Sequence, residues 1–179
     1  MPSFSNGSRS HGGGVLETVR YSFAVSANPP EILPAQTVEN HDLRCLLDYW
    51  EKLRGQEAMP LRAVAGAGIG RLLKFTHLCD VIRGGEDFRF RIIGMGVFSG
   101  RESQVGRLVS QHPDMGVRTR FPALMRAVVD QKAAVRGLAA RETAHGWFQV
   151  ESIWLPFGGA EVHQIMGMAM FRELGPPPR

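Results

Sequence analysis

Two residues that could act together in chemistry, His77 and Cys79, lie two positions apart in the segment FTHLCDV. On a β-strand both side chains would point to the same face, where an imidazole and a thiolate can bind zinc. A zinc site needs about four ligands, however, and no further histidine or cysteine lies at ligand spacing. The pair therefore indicates a partly buried histidine beside an unreactive thiol, and we expect no metal site.

Acidic side chains and glycine-rich segments give no sign of catalysis. Four acidic residues fall near predicted strand ends or turns, without a spacing that pairs them: Asp80, Asp87, Glu151 and Glu161. The motifs GxSxG and HExxH are absent, and GAGIG (66–70) lacks the GKS or GKT ending of a phosphate-binding loop. We expect a protein that is not an enzyme. The alternative is a small enzyme or ligand carrier on a similar curved-sheet fold.

Charge and cysteine usage restrict the partners and the compartment. The 179 residues carry a net charge of +4, but the arginines are spread from Arg9 to Arg179 without a dense run. This spread favours an ordinary basic surface over a nucleic-acid-binding one. No apolar run approaches the roughly 20 residues that span a bilayer, and the N-terminus lacks the apolar core of a signal peptide. With only two cysteines, these features predict a cytoplasmic protein that binds neither nucleic acid nor membranes.

The elements that position these residues begin with an amphipathic helix. Asn40 can cap its first turn, and Gly55 can adopt the left-handed conformation that ends it. Between them, apolar residues recur at helical spacing and form one stripe: Leu43, Leu46, Leu47, Trp50 and Leu53. A helix of about 14 residues is marginal alone, so the stripe must dock either on the protein's own sheet or on a second chain.

A predicted β-hairpin follows the helix. Lys74–Ile82 has the pattern of a first strand, Gly84–Gly85 can form the turn, and Asp87–Ile93 (DFRFRII) alternates as a second strand. The alternation places Phe88, Phe90 and Ile92 on one face of that strand. It stops at Gly94 and Gly96, where we expect the chain to turn into a helical segment.

A second helix and three more strands complete the predicted order. Thr119 can cap the helix, with Pro122 in its first turn. The strands are predicted at Ala134–Arg141, Trp147–Phe157 and Val162–Arg172. Short turns between them need no crossover helix, so the fold class is α+β: a curved antiparallel sheet of about five strands with helices covering one face.

Composition divides the chain into three parts. The first 39 residues combine a Ser- and Gly-rich start with scattered prolines, and predict a flexible leader over 1–39. The folded domain, including the N-terminal helix, is predicted over 40–172. The GPPPR ending predicts a flexible tail over 173–179, because consecutive prolines stop a strand or helix.

Several of these motifs, taken together, resemble the PAS family, in particular a group of short stand-alone proteins of proteobacteria. The resemblance rests on LLDYWEKLRG with MPLR after it, on GRLLKFTHLCDV, on DFRFRIIG followed by GR, and on ESIWLPFGG. Phe90 stands where that group usually has a tyrosine. The similar region covers roughly Asp42–Phe171 and implies a PAS-like fold with a sensory role.

The resemblance implies that the protein senses through the cavity between its sheet and helices. Candidate ligand-binding residues are those expected to line this cavity: His77, Phe90, Ile92, Met125, Trp154, Met166 and Met168. It also implies a homodimer in which the N-terminal helices pack together through Leu46, Trp50 and Leu53. The predicted function is a regulatory module that binds a small molecule or an unidentified partner protein and signals through protein–protein contact.

We expect the purified protein to be colourless and to carry no cofactor. PAS flavin photosensors hold a reactive cysteine in an Asn-Cys-Arg-Phe stretch, which is absent here. PAS haem sensors usually ligate iron through a histidine of the long helix, and Thr119–Lys132 contains none. An absorption spectrum of freshly purified protein checks the expectation. A visible band stoichiometric with the protein would contradict it.

Overall fold

The computed structural model of the chain describes residues 29–59, 69–97, 103–143 and 146–175. Its centre is a sheet in which six strands pair antiparallel in the order β1-β4-β5-β6-β2-β3. The strands are β1 Glu31–Pro34, β2 Thr76–Ile82, β3 Asp87–Ile93, β4 Val135–Thr143, β5 Gly146–Phe157 and β6 Gln164–Gly175. The helices are α1 His41–Lys52 and α2 Met115–Gln131, with 3-10 turns at Ala35–Thr37, Gly70–Phe75, Arg83–Gly85 and Val109–Gln111. The predicted α+β class is confirmed.

The sheet has a sixth strand that the sequence did not predict. β1 pairs with β4, with Glu31 opposite Leu138, and Ala35 and Val38 just after it are fully buried. The flexible leader predicted over 1–39 is therefore wrong for residues 29–39, while residues 1–28 lie outside the described part. At the other end β6 continues to Gly175, so the predicted tail begins too early.

Both faces of the sheet are covered, because each helix lies on a different one. Along β5, Ile153 and Leu155 belong to the apolar cluster that contains the stripe of α1. Trp154, between them, belongs to the cluster that contains the inner side of α2. All three side chains are nearly inaccessible to solvent. A strand buried on both faces reads as a continuous apolar run, which explains the SIWLPF sequence of β5.

The N-terminal helix docks on its own sheet. Asn40 Oδ1 accepts hydrogen bonds from the N–H groups of Asp42 and Leu43, which confirms the predicted cap. Within the stripe, Leu46 is fully buried and Trp50 is 6% exposed. The indole N–H of Trp50 donates to the carbonyl of Pro156 on β5 at 2.7 Å. Of the two alternatives for the stripe, the structure shows docking within the chain.

The docked stripe contains the three residues expected at a dimer interface. Leu46 and Trp50 are covered by the chain's own sheet, and Leu53 packs partly buried against the same apolar cluster. A second chain could reach Leu46 and Trp50 only if α1 left the sheet. Self-association itself stays a prediction, and it would use other surface while α1 is docked.

A buried ion pair fixes the point at which α1 begins. The carboxylate of Glu151 on β5 accepts the N–H groups of Glu39 at 2.7 Å and Asn40 at 2.9 Å. Arg136 on β4 places its Nε 2.7 Å from the same carboxylate, and its Nη1 donates to the carbonyl of Thr37 at 2.7 Å. The side chains of Arg136 and Glu151 are only 6% and 11% exposed. Each of the two charges is thus buried with several hydrogen-bond or ion-pair partners, as buried charges require.

A β-bulge changes the face of the sheet on which the side chains at the end of β3 lie. Leu78 lies opposite Ile92 and Cys79 lies opposite Phe90, so Arg91 is an extra residue on β3. A bulge reverses the alternation beyond it. Ile92 therefore packs against the α1-side cluster, whereas Phe90 belongs to the α2-side cluster. The prediction that these two residues share a face is wrong for this reason.

The outer edge of β3 is covered by a short segment of chain. The N–H of Phe90 donates to the carbonyl of Arg107 at 3.0 Å, and the N–H of Gly106 donates to the carbonyl of Phe90 at 2.7 Å. Arg89 forms an isolated antiparallel bridge with Leu108. At the end of β3, Gly94 lies close to the 3-10 turn that precedes β2. A Cβ on Gly94 would be only 2.4 Å from the carbonyl oxygen of Leu73. This glycine permits a close backbone approach, and the expected turn follows it, closed by the N–H of Val97, which donates to the carbonyl of Gly94 at 3.0 Å.

The second helix starts earlier than the sequence predicts. Asp114 is the N-cap, and its carboxylate accepts the N–H of Val117 at 3.2 Å. The predicted cap, Thr119, lies inside α2, where its hydroxyl donates to the carbonyl of Met115 at 3.0 Å. Pro122 consequently lies in the helix interior. Interior prolines are uncommon in helices, which is why the position of Pro122 favoured a first turn.

The substitution Trp50→Ala should lower the free energy of unfolding by about 3–5 kcal/mol, the usual cost of truncating a large buried aromatic residue. The truncation also removes the donor to the Pro156 carbonyl. Urea denaturation of both proteins measures the change. Asp48→Ala, at an exposed position of the same helix, is the control and should change stability by less than about 0.5 kcal/mol. An unchanged stability in Trp50→Ala would contradict docking of α1 on its own sheet.

Candidate functional site

A cluster of four rings fills the space between α2 and the sheet. His77 on β2 is stacked against Phe121 of α2, with ring centroids 5.0 Å apart and an angle of 18° between the planes. Trp154 on β5 meets both rings edge-on, at 5.0 Å from His77 and 4.9 Å from Phe121. Phe90 on β3 approaches His77 edge-on at 6.3 Å. The cluster thus joins three strands and one helix around a single imidazole.

Strand register and the lack of a side chain at Gly167 place His77 in the interior. His77 lies opposite Gly167 of β6 and is only 3% exposed. A Cβ at Gly167 would lie 2.4 Å from Nε2 of His77 and 3.0 Å from the ring of Trp154. Real side chains do not approach so closely, so glycine at this position is what allows the two rings to lie over the sheet.

The imidazole of His77 is held neutral and one of its nitrogens has no partner. Burial lowers the pKa of His77 from 6.5 to about 3, because the charged form would lose its hydration without gaining a counter-charge. Nε2 is inaccessible to solvent and makes no hydrogen bond. Buried polar atoms are nearly always paired in proteins, since an unpaired one costs free energy. The unpaired ring nitrogen of His77 is therefore an uncommon feature of this interior.

A second histidine lies at the edge of the cluster. His112 is 4% exposed, and its ring centroid is 5.9 Å from that of Phe90. The backbone N–H of Asp114 donates to Nδ1 of His112 at 3.0 Å, which requires an unprotonated Nδ1. Burial lowers the pKa of His112 as well. The site thus contains two histidines in environments that favour the uncharged ring.

The indole N–H of Trp154 is paired, and the nearby thiol of Cys79 is unreactive. The indole N–H of Trp154 donates to Ser152 Oγ at 3.0 Å, which in turn reaches the carbonyl of Gly137 at 3.3 Å. Cys79 is fully buried, and burial together with the charge of Asp80 raises the pKa of its thiol. The thiol is protonated and poorly nucleophilic, in agreement with the prediction from the sequence. The described residues contain no cluster of three or more side chains suited to a metal ion.

The structure divides the seven predicted ligand-binding residues between the two faces of the sheet. His77, Phe90, Met125 and Trp154 come together beneath α2. Three others lie on the opposite face, in the cluster beneath α1: Ile92, Met166 and Met168. Only the first four can contribute to one interior site. Alternation along β6 correctly groups the two methionines with each other, but it does not reveal which helix covers them.

Sequence reasoning missed Phe121 and His112 as site residues. Neither residue was among the seven predicted ligand-binding residues. Both reach the cluster through the packing of α2 and the turn before it on the sheet. The one local signal was composition, since an aromatic residue directly before an interior proline is an unusual choice for a helix.

A separate cleft of about 390 Å³ opens on the surface beside β1 and the end of α1. Its walls include Ile32, Leu33, Trp50, Arg54 and Ala134. None of the seven predicted ligand-binding residues lines it. The cleft therefore does not correspond to the interior site that the sequence predicts.

The low pKa of His77 should appear in the pH dependence of stability. Between pH 6.5 and about 3 the unfolded chain binds a proton at His77 that the folded chain does not. The free energy of unfolding therefore falls as the pH falls, by up to about 1.4 kcal/mol per pH unit from this residue. The substitution His77→Phe should remove this part of the slope between about pH 6 and 4, measured by urea denaturation. His163→Phe, at an exposed position, is the control, and an equal change of slope in both variants would refute the assignment.

Comparison with known proteins agrees with this architecture. The family model of the PAS domain matches residues 38–170, which include both helices and every strand except β1 and the end of β6. No curated protein matches the chain. Neither of the two α-helices that the structure describes is long and apolar enough to cross a membrane. The match spans most of the chain and both walls of the aromatic site, and the chain belongs to the PAS domain family.

Proposed function

We propose that this PAS domain binds a small molecule between its sheet and α2 and signals the change to a partner protein. The observation that carries the proposal is the unpaired Nε2 of His77, buried among the rings of Phe90, Phe121 and Trp154. PAS domains are in general sensory and regulatory modules, so a ligand site in this position gives the fold something to sense. The partner is another protein or a second copy of this chain.

Strand β5 offers a short physical path from the site to the outer surface. Trp154 faces the site, while its neighbours Ile153 and Leu155 lie in the cluster beneath α1. The next residue, Pro156, accepts the hydrogen bond from Trp50 of α1. A displacement of Trp154 therefore moves the residues on which α1 rests, since packed interiors transmit strain. Helix α1 has an exposed outer side, and it is the element that a partner would contact.

The site supports binding better than catalysis. Among the described residues, no acidic or nucleophilic side chain is hydrogen-bonded to His77, and Nε2 has no hydrogen-bond partner. Nucleophilic and acid–base catalysis need such paired groups. Two free thiols, Cys45 and Cys79, support a reducing compartment. We therefore propose a non-enzymatic regulator that acts in the cytoplasm.

Hydrogen exchange tests the path from the site to α1 without a known ligand. The substitution Phe121→Ala removes one ring from the site, and we expect backbone amides of α1 to exchange several-fold faster because β5 loses its support. Val129→Ala is the matched control, since Val129 is also partly buried on α2 and packs against the same cluster. Mass spectrometry of peptic peptides measures the exchange. If exchange accelerates in α2 but α1 remains unchanged in Phe121→Ala, the proposed signalling path is wrong.

A further inference from the structure

The surface cleft of about 390 Å³ lies around the outer edge of strand β1. Ile32 of β1 is opposite Gly137, where a Cβ would lie 2.7 Å from the side chain of Leu124 on α2. The Ile32 side chain is therefore on the α2 side of the sheet, and that of Leu33, the next residue, is on the α1 side. Both residues line the cleft. The cleft thus reaches both faces of the sheet, and the edge of β1 lies between them.

The backbone of Ile32 points into this cleft. Successive residues of an antiparallel strand direct their N–H and C=O groups to opposite sides of the strand. Pro34 has no N–H, and a proline in an edge strand has its nitrogen on the side away from the neighbouring strand. Alternation therefore directs Leu33 and Glu31 toward β4, opposite which they lie, and directs Ile32 outward.

The β4–β5 hairpin gives the same assignment independently. Thr143 and Gly146 form its closing pair, with two residues between them. The closing pair of such a hairpin exchanges hydrogen bonds, so Thr143 is directed toward β5. Alternation along β4 then directs Arg136 and Leu138 toward β1. Their partners on β1 are the two residues that flank Ile32, so Ile32 itself faces the cleft.

This edge offers one complete pair of backbone groups. Pro30 and Pro34 have no N–H, and the carbonyl of Pro34 already accepts the hydroxyl of Thr37 at 2.7 Å. Among the described residues, none outside the sheet bonds to the backbone of Ile32. A donor and an acceptor on one strand residue match the backbone of another extended chain, which carries both groups at the same spacing. The edge therefore suits a short extended peptide.

The end of α1 adds charge to the wall of the cleft. The guanidinium carbon of Arg54 lies 6.0 Å from the centroid of the Trp50 ring, and both residues line the cleft. Glu51, one turn earlier, lines it as well. Within the described part of the chain, neither Arg54 nor Glu51 forms an ion pair. An acidic group in the cleft would be attracted by Arg54 and repelled by Glu51.

We propose that the cleft binds a short extended peptide of a partner protein, with an apolar residue opposite Ile32 and an acidic residue next to it. The apolar residue exchanges two backbone hydrogen bonds with Ile32, whose side chain is 39% exposed and can pack against it. Because side chains alternate between faces, the acidic residue lies on the α1 side, where Arg54 can bind its carboxylate. The inference rests on the proposed function for the existence of a partner protein and adds the docking surface and the chemistry of the peptide.

Two blocked peptides test the backbone pairing in NMR titrations of ¹⁵N-labelled protein. Acetyl-Thr-Glu-Ile-Val-Thr-amide and acetyl-Thr-Val-Ile-Glu-Thr-amide place the acidic residue on either side of a central isoleucine. The preferred peptide should shift the amide resonance of Ile32. Methylation of its isoleucine nitrogen removes the donor to Ile32 and should weaken binding about tenfold. Methylation of its valine nitrogen is the matched control, because that N–H points away from β1, and should change the affinity less than about threefold.

Variants at exposed positions of the last turn of α1 test the acidic residue. In the wild type, the peptide with glutamate should bind several-fold more tightly than its counterpart with glutamine. Arg54→Gln should remove this preference, whereas Glu51→Gln should increase it, because the repulsion is gone. Asp48→Ala is the control, since Asp48 is exposed on the same helix but does not line the cleft. The preference should also decrease as salt is added.

The proposal is overturned if neither peptide shifts the Ile32 resonance at millimolar concentration, or if the two methylations weaken binding equally. It is also wrong if the Ile32 amide is already protected from exchange in the free protein. Protection that does not depend on protein concentration would assign the edge to another segment of the same chain, and protection that rises with concentration would assign it to a second copy. None of these results alters the hydrogen-exchange comparison with Phe121→Ala, which tests the signalling path without a peptide.

Discussion

The rest of the architecture depends on the carboxylate of Glu151. It lies on the central strand β5, pairs with Arg136 of the neighbouring strand, and accepts the two N–H groups from which α1 begins. A carboxylate buried this deeply is tolerated only with a complete set of partners. The chain before α1 can therefore occupy only the position in which its N–H groups reach this carboxylate. That position lays the stripe of α1 over one face of β5 and leaves the other face to α2. The side covered by α1 and the side covered by α2 therefore share one strand.

Elements with strong local signals could be predicted from the sequence. Three elements show their conformation in the pattern of about ten consecutive residues. They are the capped amphipathic helix, the hairpin at Gly84–Gly85 and the long apolar run of β5. β1 has no such signal, because it is four residues long and exists through its pairing with β4. The bulge opposite Cys79 is also invisible locally, since register belongs to a pair of strands. Ile92 was consequently placed on the wrong face.

The candidate site was predictable to a similar extent. Alternation along β2 places His77 and Cys79 on one face, and the structure confirms that both are interior. Alternation alone does not say which face meets which helix, so Met166 and Met168 were grouped with residues from which the sheet separates them. Gly167 is the most instructive case. Its role is set by a ring on the neighbouring strand, ninety residues away in the sequence, and nothing around it indicates this.

The two outer strands of the described sheet determine how the domain can meet other proteins. β1 is four residues long and ends in Pro34, and the free side of β3 is already engaged by residues 106–108. At the β3 edge no long row of unpaired backbone groups remains, and such a row is the template for strand addition and for edge-to-edge aggregation. On the other side of the sheet β1 pairs only with the first four residues of β4, so residues 139–143 of β4 have no neighbouring strand there among the described residues. Extension of the sheet is therefore disfavoured at β3, whereas the far end of β4 leaves backbone groups at which an added strand would find partners.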